Sequence, residues 1–135
     1  MIRVRVEDGW AEAVFTDRGD GDMGHGGTYV DEVSPEVAAR RQQILDLPWT
    51  WLRQVHGDQV ISVGHPGEGA GTPADAAVTN RAGCPLAVLT ADCAPVALAS
   101  PEGVIGAVHA GWAGAAAGIV GRAVADMRGL GATSI

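Results

Sequence analysis

Three short segments carry residue types that can do chemistry: Gln54-Val55-His56-Gly57, Ala91-Asp92-Cys93 and His109-Ala110-Gly111-Trp112. Each places a His or a Cys at or near the end of an apolar, strand-like run. Together they offer two imidazoles and one thiol, a borderline-soft donor set that suits zinc. Three protein ligands leave the fourth tetrahedral position open for water or substrate, which reads as catalytic and not structural. A thiol beside an imidazole is also a nucleophile with its base, so Cys93 with His109 offers a metal-free alternative. His56 counts against that alternative, since such a pair has no use for it.

The residues around these donors admit plainer readings. On position alone His56 is a surface turn histidine, and free cysteine is among the most buried and inert residue types. Asp92 follows the apolar run Leu86-Ala87-Val88-Leu89, where a carboxylate is costly unless paired. It is a candidate to orient a ligating His or to shuttle protons. Gln54, two residues before His56 in an extended segment, faces the same side and can hold a water or a substrate amide. Trp112 is either a stacking surface for a ring or a core aromatic at a helix start. Cys84, His25 and His65 match no motif; Cys84 reads as structural and the two His as solvated loop residues.

Composition narrows the classes. A chain of 135 residues with 47% hydrophobic and 19% charged residues is long enough for one domain with a real core. A net charge of −7 repels phosphate backbones and anionic bilayers, which argues against nucleic-acid and membrane-surface binding. All nine basic residues are Arg. The lack of Lys excludes a Schiff-base lysine, a pyridoxal-phosphate enzyme and a Walker-A loop. No cationic start precedes an apolar stretch, and no run approaches the ~18 residues of a membrane span. Two cysteines are too few for a disulfide scaffold, so a reduced, cytoplasmic chain is expected.

The elements that must position the three segments follow from periodicity and punctuation. Residues 2–6 and 10–16 read as a hairpin across Glu7-Asp8-Gly9. Residues 17–27 are a polar, Gly-rich loop. Ser34-Pro35-Glu36 starts a helix that runs to about Leu45. Short strands are expected at 49–55, 59–63, 76–79, 86–90, 96–99 and 104–109, with Pro101-Glu102-Gly103 as the hairpin turn between the last two. Residues 112–128 read as one amphipathic helix, whose N-terminus points free N–H groups at the region of His109 as an anion site. Residues 133–135 look like the start of another strand. The sum is an α/β layered fold, a mixed β-sheet core with flanking helices.

The order QVHG, then Pro73-Ala74-Asp75 with Val78-Thr79, then Thr90-Ala91-Asp92-Cys93 with Pro95-Val96, then His109-Ala110-Gly111-Trp112 with Gly114 resembles the bacterial laccase-domain family. That family is also called the purine nucleoside phosphorylase or peptidoglycan editing factor family, and in older usage multicopper polyphenol oxidase. The likeness runs from about Phe15 to the C-terminus. It implies a fold similar to that of the cytotoxic necrotizing factor toxins, and a zinc site on His56, Cys93 and His109. It implies phosphorolysis of purine nucleosides and deamination of adenosine, with Asp92, Cys93 and His109 as catalytic residues. Water acidified by zinc would add to C6 of the purine. Arg18, Arg53, Gln54 and Trp112 would contact nucleoside and phosphate.

The alternatives are a copper-loaded phenol oxidase and a Cys–His amide hydrolase in peptidoglycan precursor editing. A multicopper oxidase consumes about ten imidazoles, and this chain has four. Two departures from the family pattern stand out. Ala113 occupies the place of the Arg that usually follows the Trp, and Arg18 is followed by Gly19-Asp20-Gly21 in place of the usual Arg-x-Gly-Gly. Family members also continue well beyond the last helix, so 1–135 reads as a single but incomplete domain that can complete itself as a homo-oligomer.

Overall fold

The structure, a computed structural model, describes residues 1–6, 10–24 and 33–135. The expected turn at 7–9 and the loop position His25 lie outside the described residues. The chain divides into two compact units, 1–47 and 48–135.

The first unit holds the expected hairpin, β1 (Ile2–Arg5) against β2 (Glu12–Phe15), antiparallel with Ile2 opposite Phe15 and Arg5 opposite Glu12. Arg3 and Arg5 both donate to Glu12, at 2.7 and 2.9 Å. Asp17 caps a short 3-10 turn at Arg18–Asp20. α1 (Pro35–Ile44) starts as its sequence dictates: Ser34 Oγ accepts from the Val37 N–H at 3.3 Å, and Pro35 and Glu36 occupy the first turn. The buried Arg41 donates to the Met23 carbonyl at 2.7 and 3.1 Å.

The second unit runs β3 (Thr50–Trp51), β4 (Val60–Ser62), β5 (Ala76–Thr79), β6 (Leu86–Ala87), β7 (Ala94–Ala99), β8 (Ile105–Ala110), α2 (Trp112–Ala117) and α3 (Ile119–Gly129). Its main sheet has the order β4-β5-β8-β7; β4 and β5 are parallel, and the other pairs antiparallel. β3 and β6 form a separate parallel pair. The architecture is therefore the expected mixed sheet with helices against it.

All four residues of β5 are buried because both faces of this central strand are covered. The period of two sends Ala76 and Val78 to a core with Val108, Ile119, Ala123 and Met127. It sends Ala77 to a second core with Leu52, Val63, Ala74 and Cys84. α3 supplies the first core through the spacing of Ile119, Ala123 and Met127, each fully buried. Burying a side chain such as Ile119 or Met127 stabilises by about 1.5–3 kcal/mol. Cys84, at 3% exposure, is part of this packing.

Three expectations need correction. The single helix at 112–128 is two helices, because Gly118 adopts φ 88° and returns its N–H to Ala115. Residues 133–135 are not a strand; the Thr133 N–H and hydroxyl both donate to Glu102 in the β7–β8 turn. The strands expected at 49–55 and 86–90 shrink to two residues each. Among the described residues, no helix is long and apolar enough to cross a membrane.

Candidate metal centre

The sheet register builds the site. Ala76 of β5 pairs with Val108 of β8, and one step further Asp75 lies opposite His109. The His109 N–H donates to the Asp75 carbonyl at 2.7 Å. His109, 3% exposed, points its Nδ1 at Asp75 Oδ1 at 2.8 Å. The turn after Trp51 brings Val55, His56 and Gly57 over the same carboxylate, and their amide N–H groups donate to it at 3.2, 2.9 and 2.8 Å. His56 reaches this place with φ 58°, the left-handed region that a side chain enters at a cost. Cys93 sits just before β7, where Ala94 pairs with Ala110 of β8.

These three elements bring His56, Cys93 and His109 together. One donor atom from each lies within 4.8 Å of the other two. The imidazoles of His56 and His109 meet edge to face, with centroids 4.9 Å apart and planes at 82°. A tetrahedral ion with bonds of ~2.0–2.3 Å wants donors about 3.3–3.8 Å apart. The widest pair is therefore about 1 Å too open, and wider than the ~4 Å expected of the three donors even with the site empty. The half-buried Cys93 is the donor with room to close it.

Gly111 supplies the room. A Cβ at this position would stand 2.9 Å from His56 Cδ2, 3.4 Å from Cys93 Sγ and 3.6 Å from His109 Cε1. Its φ of −69° suits any residue, so it is space and not conformation that calls for glycine here. The donor set and this cradle fit a metal ion held by His56, Cys93 and His109. Gly114 permits a second close approach: a Cβ there would stand 2.5 Å from the Gly57 carbonyl oxygen.

The electrostatics separate the two carboxylates. Burial acts to raise the Asp75 carboxyl, but the His109 ring and the three turn amides outweigh it and hold it below its usual value. Asp75 therefore stays an ionised acceptor. Partial burial, then the Asp92 carboxylate, push the Cys93 thiol up, and its Sγ donates to Asp92 Oδ1 at 3.7 Å.

Other expectations change here. Asp92 is exposed and touches Cys93, not a histidine; the carboxylate on His109 is Asp75, which sequence reasoning left without a role. Gln54 has its amide on a backbone partner: Nε2 donates to the Leu89 carbonyl and Oε1 accepts from the Leu89 N–H, both at 2.7 Å. It ties the His56 segment to the one leading to Cys93. Trp112 is no core aromatic, at 85% exposure beside Gly111. Arg53 is exposed, bridging Pro73 through its backbone, and Arg18 belongs to the first unit. The helix at whose N-terminus an anion site was expected, α2, has six residues.

The sequence profile of a family described as multi-copper polyphenol oxidoreductase laccase matches residues 18–134. A Streptomyces griseus protein named purine nucleoside phosphorylase ORF3 is 45% identical over 92% of this chain and 56% of its own length. A purine nucleoside phosphorylase of Streptomyces coelicolor is 41% identical over 98% of this chain and 60% of its own. The chain thus spans little more than half the length of these curated relatives. Among solved structures, a Neisseria meningitidis protein of the DUF152 family superposes with a TM-score of 0.62 at 34% identity, covering 70% of this chain and 41% of that one. The Bacillus licheniformis protein YfiH gives 0.63 at 26% identity, covering 78% and 44%.

Proposed function

This chain belongs to the laccase-domain family, and from that premise we propose that it is a zinc-dependent enzyme of purine nucleosides, with phosphorylase and adenosine deaminase activity. The relatives, named purine nucleoside phosphorylases, are the reason for choosing a nucleoside and phosphate as substrates. The observation that carries the reading is the meeting of His56, Cys93 and His109 around the side-chain-free Gly111. When bound, zinc with an open fourth position supplies Lewis acidity toward a water or a substrate oxygen.

The chain's own residues do the rest. His56, Cys93 and His109 hold the ion. Asp92, exposed beside Cys93, is placed to give and take protons at the open side of the site. Trp112, exposed one residue beyond Gly111, stacks on the purine. Arg53 is the cation of this unit proposed for phosphate, in the absence of an Arg at Ala113.

Two rival readings remain testable. Two His and a Cys also suit copper, but four histidines cannot build a multicopper apparatus, which leaves only weak phenol oxidation by a single adventitious ion. A Cys–His amide hydrolase needs an activated thiol, and the raised Cys93 paired with a carboxylate counts against it.

The test is metal analysis followed by adenosine assays. Purified protein should carry about one zinc per chain, lost in Cys93→Ser and His109→Ala. Adenosine should yield inosine, or adenine when phosphate is present, and Asp92→Asn should lower turnover by more than ~100-fold. Phenol oxidation that appears only with added copper, with adenosine untouched, would overturn the reading.

A further inference from the structure

We propose that Asp75 is a positioning residue that couples two of the three ligand side chains, so that one buried carboxylate sets the placement of both His56 and His109. The proposal rests on the reading of the trio as a metal centre. Asp75 is fully buried and accepts four hydrogen bonds. Oδ1 takes the His56 amide at 2.9 Å and the His109 ring at 2.8 Å; Oδ2 takes the Val55 and Gly57 amides at 3.2 and 2.8 Å. A carboxylate has about four acceptor directions, so none is left over.

Two consequences follow for the ligands. Because three amide N–H groups fill the other acceptor directions of Asp75, the 2.8 Å contact is one in which His109 Nδ1 donates, and Nε2 keeps the lone pair a metal needs. Because the same oxygen holds the His56 amide, the left-handed backbone of His56 is pinned to the ring of His109. The two imidazoles therefore move together, and their edge-to-face contact is preset. Cys93 is outside this arrangement, its Sγ bonded to Asp92. The structure thus contains a preformed two-histidine half-site, with the thiol as the adjustable third donor.

Asparagine separates this role from simple space filling. In Asp75→Asn the side chain keeps its shape, and its one oxygen can still serve the His109 ring. Its NH2, a donor, would then face the N–H groups of Val55 and Gly57, so the turn that carries His56 should come loose. Zinc affinity, read by competition with a chromophoric chelator, should fall by about 10–100-fold. The cobalt-substituted variant should lose intensity in its tetrahedral d–d bands, and amide exchange at His56 and Gly57 should accelerate. In metal-free wild-type protein, nitrogen-15 NMR of the His109 ring should place the proton on Nδ1. This last measurement needs no variant and stands if Asp75→Asn fails to fold. A wild-type His109 protonated on Nε2 alone overturns the proposal, as does a folded Asp75→Asn with unchanged zinc affinity and unchanged exchange. A wild-type chain that takes up no metal sinks the metal reading instead, and the ring and exchange measurements then decide Asp75 by themselves.

Discussion

His56 and Gly111 carry opposite constraints within the same site. His56 accepts a left-handed backbone in order to present its ring; the cost, about 1–2 kcal/mol for a residue with a Cβ, is offset by the amide bonds to Asp75. His56→Gly should therefore leave the metal-free protein as stable or more stable, by up to ~1 kcal/mol, while metal content falls; thermal melts and metal analysis on one preparation check both. Gly111 has no conformational cost and leaves the donors room to approach one another. Gly111→Ala should leave secondary structure intact and weaken zinc binding by at least ~10-fold, on the order of an outer-shell change, because its Cβ would meet the His56 ring at 2.9 Å. Unaltered affinity in that variant would mean that His56 is not a ligand. Position alone favoured a surface turn histidine and an inert cysteine; His56, Cys93 and His109 were legible in the sequence through the order of motifs shared with the laccase-domain family. Asp75 was not. A carboxylate at the entrance to the apolar run Ala76–Thr79 signals a buried, paired group, but its partner lies 34 positions away and needs the β5–β8 register to be found.

At the scale of elements, the hairpin, α1 and the turn at Pro101-Glu102-Gly103 follow from local rules: alternation, an N-cap, a glycine at φ 84°. The break between α2 and α3 does not, because the apolar stripe continues across it and a single glycine in a helical pattern is ordinarily tolerated. Gly118 has nothing within 4 Å of a Cβ, so only its backbone conformation is at stake. Gly118→Ala should cost about 1–2 kcal/mol, measurable by urea unfolding. The C-terminal residues were misread because a strand was expected where a side-chain lock forms. Glu102 accepts from Ser100 and Thr133, and these bonds hold its carboxyl at about 2, below its usual 4.5. A depressed acid stabilises the fold above its unfolded value and loses that contribution as pH falls through the folded one. The melting temperature of wild type should therefore exceed that of Glu102→Gln above pH 4.5, and the gap should close as the pH approaches 2. A gap independent of pH would refute the lock.

For the whole molecule, the question is what meets the outer edge of β7. In the order β4-β5-β8-β7, β7 is an edge with no second strand partner among the described residues. It is six residues long, and Ala94, Pro95 and Ala97 are exposed. Natural edges of this kind are usually blunted by charge, a bulge or a cover; here Pro95 lacks an N–H, and Val96 to Ala99 have no second strand partner among the described residues. We expect a second copy of this chain to pair along β7, a homo-oligomer joined strand to strand. Elution in size-exclusion chromatography should then shift with concentration, and Ala97→Lys, which places a charge on the edge, should hold the protein monomeric with its metal content unchanged. If nucleoside turnover needs the wall that the second copy supplies, the monomeric variant should lose activity while keeping zinc. A wild type that is monomeric at every concentration and fully active would overturn this expectation, because the edge would then be open without consequence.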